Sequence, residues 1–281
     1  MKSERVWATG MKESDIFRDK VVAVTGGASG IGAALCRRFG KAGSRIAVMD
    51  MDKGEIDARV KELTSSGIEA IGLKCDVTVR SECEDAIERV IRHYGCIDVL
   101  VNNAGITQRS PFVDTDISVY RRVMDVNFFG ALYCAKAAIK SLIEKKGMII
   151  VTSSHAGYSP LIGRTGYSAS KHALHGLFES LRSEVKEQGV HVMMVCPGFT
   201  KTNLQTRAIG SDGSVTSHPQ STFGKQDTPD HVAEAVMRGA LKRKNIIVLT
   251  PVGRLSYFMH RFAPGLYEKQ MAKKLRSEVE R

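Results

Sequence analysis

Tyr167 and Lys171 stand four residues apart in the segment Gly166-Tyr-Ser-Ala-Ser-Lys171-His172. A free phenol has a pKa of about 10 and is a poor base at neutral pH. On a helix, side chains four residues apart are neighbours. An ammonium there stabilises the phenolate and brings the phenol toward the range of useful proton transfer. The same spacing also occurs as a solvated helix pair, so the chemistry depends on what else the chain supplies.

A second constellation lies near the N-terminus. Val21–Thr25 is a short apolar run that leads into Thr25-Gly26-Gly27-Ala28-Ser29-Gly30-Ile31-Gly32 and then into a helical pattern. Glycines at 26, 30 and 32 let the amides around Ser29, Gly30 and Ile31 approach a pyrophosphate, and the helix N-terminus then faces its negative charge. The next apolar run ends at Asp50, whose carboxylate can accept hydrogen bonds from both hydroxyls of an adenosine ribose and repels a 2′-phosphate. Neither Ala28 nor Ser29 supplies a cation for such a phosphate, so NAD is favoured over NADP. Asp50 could instead cap the following helix, a role it would share with Asp52.

These residues need a scaffold, and the apolar pattern supplies one. Strands are expected at Val21–Thr25, Arg45–Met49, Glu69–Lys74, Val99–Asn102, Gly147–Thr152, His191–Cys196 and Ile246–Leu249. Helical spacing falls between them, over Ile31–Lys41, Lys53–Ser66, Ser81–Tyr94, Val119–Lys145, Thr165–Gln188 and Pro229–Lys242. Gly43, Gly67, Gly95, Gly147 and Gly189 fall where left-handed helix caps would serve. Continuous apolar strands alternating with helices predict one α/β domain, a doubly wound parallel seven-stranded sheet with helices on both faces, over 19–251. Residues 1–18 read as an N-terminal extension, with Met11 a plausible alternative start. The polar stretch 201–227 reads as a loop that could fold over a ligand as a lid.

With those residues in place, the chain resembles the short-chain dehydrogenase/reductase family from about Lys20 to Pro251, and the sheet is expected to be Rossmann-like. Thr25 to Gly32 matches the family's glycine pattern. The resemblance implies that Asp76, in Cys75-Asp-Val77, contacts adenine and that Asn102-Asn103-Ala104-Gly105 lines the cofactor cleft. It implies a catalytic tetrad of Asn127, Ser154, Tyr167 and Lys171; Ser154 precedes Tyr167 by 13 residues, which favours it over Ser153. By the same resemblance Lys171 also holds the nicotinamide ribose, and Pro197, Gly198, Thr200 and Thr202 surround the carboxamide. Asn127 is expected to hold a water linking Lys171 to solvent. His155, Leu161 and Leu204 are the expected substrate contacts, with His155 a wall residue.

Composition bounds the partners. The net charge is +11, and from Arg238 to Arg281 eleven basic side chains face three acidic ones. The segment 252–281 reads as a basic amphipathic extension, with Leu255, Phe258, Met259 and Phe262 at helical spacing. It fits a cover for the substrate cleft, a subunit contact, or a peripheral contact with a membrane. No nucleic-acid motif accompanies the charge. No apolar run approaches the roughly 20 residues that span a bilayer. Six cysteines without metal-like spacing fit a reducing, cytoplasmic setting, and no metal is expected. The sequence thus predicts an NAD(H)-dependent oxidoreductase interconverting a secondary alcohol and a ketone on a largely apolar small molecule. The family resemblance implies a homo-oligomer. Rival readings are a 3-oxoacyl-thioester reductase using NADPH and a non-catalytic cofactor-binding or membrane-surface protein.

Overall fold

Val21, Val22, Ala23 and Val24 are all fully buried, so the first strand must be covered on both faces, and it is. In a computed structural model describing residues 13–216 and 226–276, seven parallel strands run in the order β3-β2-β1-β4-β5-β6-β7. They are β1 (Val21–Thr25), β2 (Arg45–Asp50), β3 (Ala70–Lys74), β4 (Val99–Asn102), β5 (Met148–Thr152), β6 (His191–Cys196) and β7 (Ile246–Val248). The helices are α1 (Glu13–Phe17), α2 (Gly30–Gly40), α3 (Lys53–Ser65), α4 (Arg80–Tyr94), α5 (Ile117–Met124), α6 (Gly130–Glu144), α7 (Thr165–Glu184), α8 (Pro229–Leu241), α9 (Pro251–Phe262) and α10 (Pro264–Leu275).

Strand side chains alternate between two cores. Val21 and Ala23 join Ile87, Cys134 and Leu174 from α4, α6 and α7 on one face. Val22 and Val24 join Leu35, Leu63 and Val236 from α2, α3 and α8 on the other. Each fully buried valine or leucine stabilises the fold by about 1.5–3 kcal/mol relative to exposure.

Several expectations shift in the structure. The expected 119–145 helix is α5 and α6 joined through a π-helical turn at Asp125–Phe129. This continuous helix, Ile117–Glu144, is long and apolar enough by composition to cross a membrane, although no uninterrupted apolar run is. Its apolar face is core, with Cys134, Ala135, Ala138 and Leu142 buried. Gly43, Gly67, Gly95 and Gly189 have positive φ, but at the end of α6 the left-handed residue is Lys146 (φ 47°), not Gly147. Gly147 serves close approach instead, because a Cβ there would collide with the Asp98 carbonyl.

The expected N-terminal extension is also partly core. Residues 1–12 lie outside the described ones, but Phe17 of α1 is buried edge-on against Phe39 at 5.1 Å between ring centroids. In the 201–227 loop, 217–225 likewise lie outside the described residues. The remainder folds back onto the segment after β4: Arg109 donates to the Gln205 carbonyl at 2.9 Å, and Ile209 bridges both Gln108 and Val215.

Candidate active site

In the sheet β2 and β3 lie on one side of β1 and β4 on the other, so the chain reverses its direction of winding between β1 and β4. Loops leaving the C-terminal strand ends diverge there and open a crevice. A cleft of about 950 Å³ occupies it.

The glycine turn forms its first wall. Gly26 and Gly30 take φ of +63° and +53°, a backbone that other residues adopt only with strain. The helix α2 starts at Gly30, so its first amide groups have no partner within the helix and point toward the cleft. Ser29, Gly30 and Ile31 line that wall. Gly32 does not, and its role is packing: a Cβ there would strike the Gly26 carbonyl and the Asn103 amide. This cradle, which side chains would fill, fits a pyrophosphate.

Asp50 stands at the end of β2 on the cleft wall. Its Oδ2 accepts from the Ala28 amide at 3.1 Å and its Oδ1 from the Met51 amide at 2.8 Å. Each oxygen keeps acceptor capacity for a ribose hydroxyl. The capping alternative belongs to Asp52 alone, which accepts from the Glu55 amide at 2.9 Å at the start of α3. Arg207 from the long loop also lines the cleft, and it pairs with Glu55 at 2.7 Å. Sequence reasoning missed this cation, because it is far along the chain on a segment without periodicity. Asp50, Asp52 and Glu55 outnumber it.

Further along, Asp76 and Val77 line the cleft; Asp76 Oδ1 accepts from the Thr78 amide and hydroxyl. Asn103, Ala104 and Gly105 line it after β4. Thr25 fastens this turn to β1, its Oγ1 accepting from the Asn103 and Ala104 amides at 3.0 and 3.1 Å. Pro197, Gly198, Thr200 and Thr202 line it after β6.

Ser154, Tyr167 and Lys171 converge at the far end. The Lys171 ammonium donates to the Thr152 carbonyl at 2.9 Å and lies 5.7 Å from the centroid of the Tyr167 ring. Both side chains are buried. Burial lowers the Lys171 pKa to about 8. Burial pushes the Tyr167 phenol up, opposed by a hydrogen bond with Ser154 and by the charge of Arg164. Arg164, at the N-terminus of α7, is thus a second cation acting on the phenol beside Lys171. Ser154 is the serine that reaches the phenol; Ser153 Oγ donates instead to the Lys171 carbonyl at 3.4 Å.

Asn127 sits in the π-helical turn, is buried, and does not line the cleft. Its Oδ1 accepts from the Ile106 amide at 2.8 Å. Its Nδ2 donates to the Ile106 carbonyl at 3.0 Å and to Ser170 Oγ at 2.9 Å. Both amide protons are committed within the protein, and Oδ1, which accepts one bond, keeps capacity to accept another. The amide ties α5–α6 to α7 and to the turn after β4.

His155, Leu161 and Leu204 line the same cleft. His155 is buried, stacks on Tyr158 at 5.5 Å, and has an Nε2 without a hydrogen-bond partner among the described residues. Leu161 and Tyr167 share a small apolar cluster with Leu275 of α10. No group of metal ligands occurs among the described residues, and all six cysteines are free and buried.

Residues 20–211 match the short chain dehydrogenase family, and the chain belongs to that family of oxidoreductases. It is 32% identical to dehydrogenase/reductase SDR family member 7B of Bos taurus over 269 residues, covering 93% of this chain and 83% of that one. The Xenopus tropicalis protein of the same name is 33% identical over 276 residues, covering 95% and 89%. Among solved structures, a Burkholderia phymatum short chain dehydrogenase/reductase in complex with NAD superposes with a TM-score of 0.80 at 22% identity, over 89% of this chain and 95% of that one. A dehydrogenase/reductase from Sinorhizobium meliloti 1021 gives 0.72 at 29% identity, over 82% and 91%.

Proposed function

We propose that this protein is an NAD(H)-dependent oxidoreductase that interconverts a secondary alcohol and a ketone on a largely apolar substrate. One observation carries the reading: a buried Tyr167, sharing a cleft wall with Ser154 and flanked by the Lys171 ammonium, opens on a cleft that begins at a pyrophosphate cradle. The NAD in the Burkholderia phymatum complex supports the same cofactor here. So does the carboxylate cluster around Asp50.

A bound nicotinamide dinucleotide would supply the hydride acceptor in oxidation and the donor in reduction. Gly26, Ser29, Gly30 and Ile31 would hold its pyrophosphate, Asp50 its adenosine ribose, and Asp76 and Val77 its adenine. Asn103, Ala104 and Gly105 would flank its ribose, and Pro197, Gly198, Thr200 and Thr202 its carboxamide. In oxidation, the Tyr167 phenolate takes the hydroxyl proton as the carbon loses hydride, leaving a carbonyl; in reduction it returns that proton. Ser154 bonds the reacting oxygen and stabilises charge developing there. Lys171 would hold the nicotinamide ribose and pass the proton onward, and Asn127 acts through the framework that positions Lys171. Leu161 and Leu204 contact the apolar body of the substrate, and His155 Nε2 meets a polar group on it.

Homo-oligomerisation through the helices that carry Asn127 and Tyr167 completes the reading, supported by the exposure of Phe129 at the head of α6. The test is a panel of secondary alcohols with NAD, followed by nicotinamide absorbance, comparing wild type with Tyr167→Phe. Turnover should fall by at least about 100-fold, the scale of a lost general base, with NAD affinity retained. Undiminished turnover in the variant would sink the mechanism.

A further inference from the structure

The helices α9 and α10 form a hairpin whose two faces do different things. Its inner side packs behind Leu161 and Tyr167, which line the cleft. Tyr158 Oη donates to the Gly253 carbonyl at 3.3 Å, and Tyr267 Oη donates to the Pro160 carbonyl at 2.9 Å. Met271 packs against Ile162, and Leu275 is fully buried with Leu161 and Tyr167. Gly253 and Ser256 are the buried positions of α9.

The apolar stripe of α9 points the other way. Leu255, Phe258 and Phe262 recur at helical spacing, and they are 60%, 59% and 79% exposed. Leu266, just inside α10, extends the patch at 52% exposure. The Phe258 and Phe262 rings stack on each other, 6.4 Å apart, and on no core residue. Isolated exposed apolar residues need no explanation, but a contiguous aromatic and aliphatic stripe marks an interaction surface. Over 251–276 the exposed charged residues are Arg254, Arg261, Lys269, Lys273, Lys274 and Arg276, against a single acid, Glu268.

We propose that this hairpin seats the protein on an anionic lipid bilayer, with α9 lying in the plane of the interface. An apolar stripe of phenylalanine and leucine between long basic side chains matches both layers of such a surface. The rings enter the acyl boundary while guanidinium and ammonium groups meet the headgroups. The hairpin's basic charge complements anionic lipid, and it carries almost no acid to pair with a basic protein partner. Because the inner side of the hairpin holds Pro160, Leu161 and Ile162, docking sets the cleft beside the membrane. An apolar alcohol or ketone then reaches the site from the bilayer; this last point rests on the function proposed above, whereas docking does not.

The experiment is co-sedimentation of the full chain with vesicles of pure phosphatidylcholine and with vesicles that also contain phosphatidylserine. Wild type should bind the mixed vesicles, and added salt should weaken that binding. The pair Phe258→Ser and Phe262→Ser should lower partitioning at least about tenfold on both lipids. The pair Lys273→Gln and Lys274→Gln should lose only the gain due to phosphatidylserine. Retained NAD binding by both variants shows that they fold, and Tyr167→Phe should bind vesicles as wild type does. Wild type that ignores vesicles overturns the proposal, as does equal binding by the double phenylalanine variant. If instead the wild type is a dimer that the phenylalanine variant dissociates, with no vesicle binding, the stripe joins copies of this chain. Vesicle binding without turnover on any alcohol would leave docking standing and remove the enzymatic reading.

Discussion

Lys171 Nζ donates a 2.9 Å hydrogen bond to the carbonyl of Thr152, which fixes the ammonium at the end of β5 and beside the Tyr167 ring. The anchor explains how a charge can be buried here, since a carbonyl dipole replaces part of its lost hydration. The replacement is incomplete, and burial lowers the pKa from 10.5 to about 8. Between those values the unfolded chain binds the proton and the folded one does not, so stability from this group rises with pH. Its full extent is about 3 kcal/mol. Urea denaturation of wild type and Lys171→Met at pH 7.5 and at pH 10 checks this. The variant should lack that share of the rise, and parallel behaviour would contradict it.

Arg164 makes a separate prediction about the reaction. Its guanidinium is buried at the head of α7, three residues before Tyr167, and its charge lowers the phenol's pKa. Removing that charge in Arg164→Met should move the acid limb of the pH profile for alcohol oxidation toward higher pH. Arg164→Lys should restore part of the shift. A profile unchanged in Arg164→Met, in protein that still binds NAD, would show that the charge does not reach the phenol.

All seven strands lie within one residue of their expected ends, because a parallel sheet buried on both faces leaves apolar runs that only strands of this length fit. Tyr167, Lys171, Asp50 and the glycine turn were equally legible, each sitting at a strand end or on the helix that follows. What stayed hidden has a common cause in long-range placement. Periodicity gives α9 an apolar face but cannot say whether that face meets the core, and in the structure it does not, while Met271 and Leu275 of α10 do. Arg207 reaches Glu55 across 152 residues, and nothing in either local pattern pairs them. The amide of Asn127 was visible as a residue and not as a fastener, because its partners Ile106 and Ser170 come from two other segments.

The adenosine end offers a cofactor prediction. Arg207 is a cation at the cleft wall held by Glu55 and surrounded by Asp50 and Asp52. Asp50→Ala removes the carboxylate that repels a 2′-phosphate and leaves Arg207 nearer to balance. The ratio of NADP to NAD affinity should rise at least about tenfold, equal to about 1.4 kcal/mol. Fluorescence titration with both reduced cofactors measures it. Wild type binding NADPH more tightly than NADH would reverse the cofactor assignment.

His155 ties the substrate wall to stability in acid. The imidazole is buried against Tyr158 and next to Ser154, and burial lowers its pKa from 6.5 to about 4. The folded protein therefore holds it neutral where the unfolded chain is protonated. Stability from this group is intact above about pH 6.5 and drains as pH falls toward about 4, by about 3 kcal/mol in all. His175 and His191 are shifted the same way by burial, so the absolute curve sums several groups. The informative quantity is the difference between wild type and His155→Gln, which keeps a polar side chain that does not titrate. Urea unfolding at pH 7 and pH 4.5 should show the variant losing less stability than wild type on acidification. Identical losses would mean that the imidazole gains protons in place, and that the wall beside Ser154 is wetter than its burial implies.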